Sequence, residues 1–136
     1  NGYTFVHPFD DEVVATGQGS IAMEIFKDLP TVDIILVPIG GGGLACGVST
    51  LTKLLNPNIT VIGVEPAGAN CMQVSLKNGE VTSLPGVNTI ADGTAVKTPG
   101  SNIFPYIQHW NQIILLKYKS NISTPKNSKL FIWHMA

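Results

Sequence analysis

The alternation of apolar and polar positions predicts a strand, a helix and a second strand in the first half of the chain. Val32–Val37 is a largely β-branched and aliphatic run, which is typical of a strand covered on both faces of a parallel sheet. Apolar residues then recur at spacings of four, three and four over 44–55, which predicts a helix ending before Pro57. Ile59–Glu65 predicts the next strand. The pattern indicates an α/β fold, an open parallel twisted sheet with flanking helices.

The flanking segments predict further helices and one long loop. Asp10 or Asp11 is placed to cap a helix, and Val13–Phe26 is helical in pattern although two glycines fall within it. Either the helix is interrupted there or another backbone packs very close. A short helix is predicted over Asn70–Lys77, and Leu84–Gly100 is long enough for a functional loop.

The amino-acid composition argues against several classes of protein, among them nucleic-acid-binding and membrane-spanning proteins. The 136 residues are 44% hydrophobic and only 12% charged, against about 25% charged in ordinary domains, so we expect much of the surface to be covered by a partner region. All eight basic residues are Lys and the net charge is −1, which disfavours nucleic-acid binding. Ile34–Thr52 is uncharged, but its proline and glycines argue against a membrane span. Cys46 and Cys71 are expected to be buried thiols in a reducing compartment.

Gly40–Gly43 stands between the first predicted strand and its helix, where unobstructed N–H groups and the helix dipole form an anion cradle. A nucleoside triphosphate is disfavoured because Val48 stands where the phosphate-loop lysine belongs. An NAD site with Glu65 holding a ribose, and a loop without any ligand, remain alternatives. A monophosphate such as pyridoxal phosphate needs only the cradle and suits it best.

Four segments carry a family resemblance: Gly17–Ile25, Val37–Ala45, Val61–Pro66 and Thr89–Lys97. In this order they resemble the threonine dehydratases, which are threonine/serine ammonia-lyases of the fold type II pyridoxal phosphate enzymes and relatives of serine racemase. The likeness covers about residues 1–107 and implies a partial cofactor-binding catalytic domain.

The resemblance implies that the main-chain amides of five consecutive residues hold the phosphate of pyridoxal 5'-phosphate: Gly40, Gly41, Gly42, Gly43 and Leu44. It also implies conversion of L-threonine to 2-oxobutanoate and ammonia by β-elimination, or of serine to pyruvate. Enzymes of this kind are usually cytoplasmic homo-oligomers of amino acid metabolism.

The resemblance also implies a cation site, because serine racemase-like members bind a divalent cation through a Glu, a backbone carbonyl and an Asp. The matching positions are Glu65, Ala69 and Cys71, so a thiol replaces one hard oxygen ligand and the site would be empty or take a divalent or monovalent cation. Two roles for Glu65 stay open, cation ligand or strand-end carboxylate bonded to nearby amides.

No catalytic residue is assigned, because the Ser-x-Lys-x-Arg segment that carries the Schiff-base lysine in this family does not occur here. Lys97 is expected to be a solvated surface lysine and His7 a hydrogen-bonded turn residue. Asp92 is either a loop carboxylate near the cofactor or a turn former bonded to its own backbone.

Residues 108–136 depart from the family pattern and contain no acidic residue. A reading-frame shift or a divergent end would produce such a tail. We therefore expect a fragment of an ammonia-lyase that is inactive alone. The alternatives are a non-catalytic module that binds a phosphate ligand and an NAD-binding half-domain.

Overall fold

A computed structural model describes residues 2–109, 116–117 and 130–132. The described elements are α1 (Glu12–Gln18), α2 (Ser20–Asp28), β1 (Ile34–Pro38), α3 (Gly43–Leu55), β2 (Thr60–Glu65), α4 (Cys71–Asn78), α5 (Phe104–His109), β3 (Leu116–Lys117) and β4 (Leu130–Ile132). A single 3₁₀ turn, Asp92–Thr94, interrupts the long predicted loop.

The strands form a parallel sheet in the order β3-β2-β1-β4. Strand β1 pairs with β2 over the whole length of β1, with Ile34 opposite Thr60 and Pro38 opposite Val64. The predicted α/β unit is therefore confirmed. Because both strands run the same way, their carboxyl ends meet at one edge of the sheet.

The main core combines residues of the sheet with buried residues from each of the helices α1 to α5. Ile35, Val37 and Val61 point into it and are 0 to 1% exposed. A smaller cluster, Ile34, Leu36 and Ile62, occupies the opposite face. The continuous apolar run that predicted β1 thus reflects burial on both faces of this strand.

The helix predicted over 13–26 is interrupted at one of its two glycines, and the backbone of another helix packs close to that glycine. Helix α1 ends at Gln18 and α2 begins at Ser20, with Gly19 between them. A Cβ atom on Gly19 would lie 3.4 Å from the carbonyl oxygen of Gly47 in α3. Gly17, by contrast, has no neighbour within 4 Å of such an atom.

The helix caps follow local chemistry. Asp11 caps α1 by accepting the amides of Val13 and Val14 at 2.8 and 3.0 Å. Gly79 ends α4 in the left-handed conformation at φ 77°, as the sequence predicts. No helix in the part of the chain that is described is long and apolar enough to cross a membrane.

The predicted division at residue 107 stays a prediction, because most of the segment 108–136 lies outside the described residues. Two short pieces of it are described as strands. Leu116–Lys117 pairs with the end of β2, and Leu130–Ile132 pairs with β1.

Candidate functional site

The glycine loop, residues 40–43, connects the carboxyl end of β1 to the first turn of α3. Gly41, Gly42 and Gly43 are buried, while Gly40 and Leu44 are half-buried. Gly42 has φ 108°, a left-handed conformation that a residue with a Cβ atom rarely adopts. The loop therefore needs a glycine at position 42 for its backbone path.

The loop carries a set of unused hydrogen-bond donors. Cys46 is the first residue of α3 whose amide is satisfied, by the carbonyl of Gly42 at 2.8 Å. Among the described residues, the amides of residues 40–45 donate to no acceptor. Buried N–H groups are rarely left unpaired, and these lie at the positive end of the α3 dipole. Their arrangement fits an anionic group such as a phosphate.

Residues packed against the loop leave no room for side chains at three of its positions. A Cβ atom on Gly41 would overlap the ring of Phe9, and one on Gly43 would lie 2.8 Å from the Phe9 carbonyl oxygen. On the other side, a Cβ atom on Gly42 would lie 2.6 Å from the terminal methyl of Met72. Consequently, only a run of glycines fits between the N-terminal segment and α4.

The N-terminal segment is attached to the rest of the site by Asp10. Its Oδ1 accepts the amide of Asn102 at 2.7 Å and its Oδ2 accepts the Ser101 hydroxyl at 3.1 Å. Burial raises the pKa of the Asp10 carboxyl, but these hydrogen bonds and others from the same segment outweigh it, so the pKa is lowered overall. The neighbouring Gly100 amide donates to the Gly41 carbonyl at 2.9 Å, which joins this segment to the loop.

Glu65 ends β2 beside the loop and is 2% exposed. Its two carboxylate oxygens accept the amides of Met72 and Gln73, each at 2.9 Å. Burial raises the pKa of this carboxyl to about 7, and the two amides lower it only in part. Of the two roles left open by the sequence, the bond to nearby amides is present in the structure.

The cation ligands Glu65 and Ala69 remain a prediction. Both oxygens of Glu65 already accept an amide. The pKa of the Cys71 thiol is raised to about 11, mainly by burial and to a smaller extent by the negative charge of Glu65. A protonated thiol and a shared carboxylate are a poor donor set for a hard divalent cation. Among residues 2–109, 116–117 and 130–132, no three His, Cys, Asp or Glu side chains cluster as a metal site would require.

Three other candidates have defined environments. His7 is a turn residue, as predicted, since its Nδ1 accepts the Asp10 amide at 2.9 Å. Lys97 is exposed, as predicted. Asp92 is exposed and its Oδ1 accepts the following Gly93 amide at 2.9 Å, which is the turn-forming role.

The buried lysine of the described region serves the fold. Lys53 is 7% exposed, and its ammonium donates to the carbonyl oxygens of Pro57 and Ile59. It lies in the last turn of α3, about 15 Å along the helix from the glycine loop at 1.5 Å per residue. Its charge therefore stabilises the turn before β2 and does not face the loop.

A cavity of about 320 Å³ lies between α1, α3 and α5. Its lining includes Ala15, Leu51 and Ile103, and the Tyr106 hydroxyl donates to Glu12 at 2.9 Å beside it. None of its lining residues belongs to the segment 40–45. It is separate from the anion cradle.

Sequence reasoning missed the residues that enclose the loop. Phe9 and Asp10 lie in the N-terminal segment, far in sequence from Met72 in α4, and no local pattern distinguishes these residues from core or cap residues. The sequence did contain one indication of the role of Asp10. Of the adjacent Asp10 and Asp11, only one can cap α1, so the other must accept hydrogen bonds from different donors.

Comparison with known proteins agrees with this geometry. The family model described as "Pyridoxal-phosphate dependent enzyme" matches residues 1–118. An L-threonine ammonia-lyase of Geobacter sulfurreducens is 45% identical over 122 residues, which is 90% of this chain and 30% of that protein.

Two solved structures share the fold and cover 85% of the chain. The processed form of threonine deaminase isoform 2 from Solanum lycopersicum superimposes with a TM-score of 0.80 at 41% identity, over 32% of that chain. Maize serine racemase gives a TM-score of 0.79 at 34% identity, over 36% of its chain. The chain thus spans about a third of the length of these relatives. Since the family match extends over most of its residues, the chain belongs to the pyridoxal-phosphate dependent enzymes.

Proposed function

We propose that this chain supplies the cofactor-phosphate loop of a pyridoxal phosphate-dependent ammonia-lyase that converts L-threonine to 2-oxobutanoate and ammonia. The observation that carries the proposal is the set of unpaired amides at residues 40–45, at the carboxyl edge of a parallel sheet. The identity to L-threonine ammonia-lyases supports this substrate over others. L-Serine, which would give pyruvate, is the alternative.

The residues of the chain bind and orient the cofactor. The amides of Gly40, Gly41, Gly42, Gly43 and Leu44 hold its phosphate, and the α3 dipole adds partial positive charge without any cationic side chain. Phe9 covers the loop at Gly41 and Gly43, which limits the approach of water to this side of the site. The bound cofactor supplies an electron sink for the electron pair left when the α-proton of an amino acid is removed.

Proton transfer is not assigned to any residue of this chain. The Ser-x-Lys-x-Arg segment is absent from the 136 residues. Lys27, Lys77 and Lys97 are exposed, and Lys53 is bonded at the far end of α3. We therefore propose that the 136-residue chain alone releases no ammonia from threonine.

The proposal includes a homo-oligomer in the cytoplasm. The support for the oligomer is the exposure of large apolar side chains on the helices, among them Val13 at 81% and Leu54 at 69%. Burying such side chains against another surface is favourable by about 25 cal/mol per Å².

The NAD alternative is disfavoured by the environment of Glu65. A ribose would need this carboxylate, which is buried and already accepts two amides. A non-catalytic module that binds a phosphate ligand uses the same amides, so only binding and activity measurements separate it from the proposed lyase.

A binding experiment tests the loop. The chain is titrated with pyridoxal phosphate and with inorganic phosphate, followed by ³¹P NMR and by amide chemical shifts of residues 40–45. We expect both ligands to shift these amides and phosphate to compete with the cofactor. Gly42→Ala should abolish both effects because it introduces a strained φ and a clash with Met72. Gly86→Ala, at an open position, is the matched control.

An activity experiment tests the lyase. Residues 2–109 of this chain replace the corresponding segment of the Geobacter sulfurreducens relative, and 2-oxobutanoate release from L-threonine is measured. An active chimera whose activity is lost with Gly42→Ala supports the proposal. A chimera that folds and binds the cofactor but releases no 2-oxo acid from threonine or serine would favour the non-catalytic alternative.

A further inference from the structure

The glycine loop rests on the first turn of α4. The Cys71 thiol points at the Gly40 carbonyl oxygen, 3.8 Å away, and the Met72 methyl lies against Gly42. Both α4 side chains are 0% exposed. Any displacement of this turn would therefore be transmitted directly to the backbone of the loop, because the contact is closely packed.

The first turn of α4 is not capped by its own N-cap residue. Asn70 makes no side-chain bond to the amides of the turn, and its Nδ2 donates instead to Gln73 Oε1 at 3.1 Å. The amides of Met72 and Gln73 are satisfied by Glu65, from the end of β2. A cap supplied by another element fixes the position of α4 relative to the sheet as well as its helical geometry.

The choice of a buried carboxylate for this task has an energetic consequence. Removing an ionised carboxylate from water is unfavourable, and two amide bonds offset that only in part. A side-chain cap from the half-buried Asn70 would satisfy amides of this turn without burying a carboxylate. A buried carboxylate at this place is explained if its task is to fix the position of the first turn of α4 beside the glycine loop, in addition to stabilising the helix.

We infer that Glu65 is a positioning residue: its carboxylate holds the first turn of α4 so that Cys71 and Met72 keep the glycine loop open to a phosphate. The inference rests on the proposed function, since it takes the loop to be the phosphate site. It assigns Glu65 a role that needs no bound cation.

The test compares Glu65→Gln with Lys53→Gln in the 136-residue chain. Gln retains the size of the side chain but presents an N–H donor toward one of the two amides. Lys53→Gln also removes a buried charge, of opposite sign, at the far end of α3 and does not touch the loop. Thermal unfolding of both variants establishes that each is folded and how far each is destabilised.

Two readouts follow, the affinity for pyridoxal phosphate and inorganic phosphate, and hydrogen exchange at the amides of residues 40–45. We expect Glu65→Gln to weaken binding about tenfold or more, the size expected for loss of one charge-assisted hydrogen bond, and to accelerate exchange of the loop. Lys53→Gln should change neither. Neither EDTA nor added Mg²⁺ should alter the affinity of the unsubstituted chain.

The inference fails if Glu65→Gln leaves loop exchange unchanged, a result that does not depend on any ligand. It also fails if EDTA weakens binding and Glu65→Gln removes that sensitivity, because Glu65 would then act as a cation ligand. If the unsubstituted chain binds neither ligand, the proposed function fails, while the exchange readout still decides the role of Glu65. Should Glu65→Gln not fold, Met72→Leu, which removes the methyl contact to Gly42, carries the same expectations.

Discussion

The carboxylate of Asp10 accepts the amide of Asn102 at 2.7 Å and joins the N-terminal segment to the turn that precedes α5, 92 residues further along the chain. The same carboxylate accepts the Ser101 hydroxyl at 3.1 Å. Phe9 and Gly100, one on each side of this link, both contact the glycine loop. Asp10 therefore stabilises the enclosure of the loop from outside.

This link predicts an acid-sensitive contribution to stability. The folded pKa of Asp10 is lowered, so its contribution is complete above its unfolded pKa of about 3.8 and is lost as the pH falls through the folded pKa. Asp10→Ala should reduce the free energy of unfolding by about 1 kcal/mol or more at pH 7, the order of magnitude for losing hydrogen bonds to a side chain. The difference between the two proteins should disappear at low pH.

Urea denaturation at pH 7, 5 and 3 measures the effect. Asp92→Ala is the control, because that exposed carboxylate accepts only the amide of the next residue. A pH-independent difference between Asp10→Ala and the unsubstituted chain would show that the charge of Asp10 is not what stabilises the segment.

The contact between α1 and α3 predicts opposite effects for two helical glycines. A Cβ atom on Gly47 would overlap the carbonyl oxygen of Ala15, so Gly47→Ala should destabilise the chain by about 2 kcal/mol or more. A Cβ atom on Gly17 meets nothing within 4 Å, so Gly17→Ala should stabilise α1 by about 0.5 to 1 kcal/mol.

Thermal denaturation followed by circular dichroism compares these two variants. Equal effects of the two substitutions would contradict the close packing of α1 on α3, because helix propensity alone favours Ala at both positions.

The aromatic cover of the loop predicts a local effect of Phe9. Its ring packs on Gly41 and meets the His7 ring edge-on at a centroid distance of 4.6 Å. Phe9→Ala should destabilise the chain by about 2 kcal/mol, less than a fully buried Phe because the side chain is half-buried.

Hydrogen exchange of Gly41, Gly42 and Gly43 should accelerate in Phe9→Ala. Phe5→Ala is the matched control, since Phe5 also packs on His7 but is 82% exposed and touches no loop glycine. Similar exchange rates in both variants would show that Phe9 does not restrain the loop.

The two thiols predict slow labelling of the native chain. Cys46 and Cys71 are 5% and 0% exposed, and burial is the main cause that raises the pKa of each thiol. Since the thiolate is the reactive form, iodoacetamide at pH 8 should label neither residue at an appreciable rate until urea unfolds the chain. Mass spectrometry of the labelled peptides identifies which cysteine reacts, and fast labelling of Cys71 in the native chain would contradict the packing of α4 beneath Gly40.

Several elements of this structure are determined by short stretches of sequence. The apolar run of β1 and the glycines after it are short-range signals, because side-chain periodicity and φ preference act within a few residues. They determined the strand–loop–helix unit and hence the place of the phosphate cradle. The end of α3 before Pro57 and the left-handed Gly79 follow from the same local chemistry.

The tertiary structure alone decided what surrounds the cradle. Asp10 and Asp11 are adjacent and chemically identical, yet Asp11 caps α1 while Asp10 bonds to residues 101–103, because only the folded chain brings those donors within reach. For Glu65 the sequence allowed two roles, and the packing of α4 against β2 supplied the amides that occupy both oxygens. Propensity is a property of neighbouring residues, whereas the partner of a buried polar group depends on long-range packing.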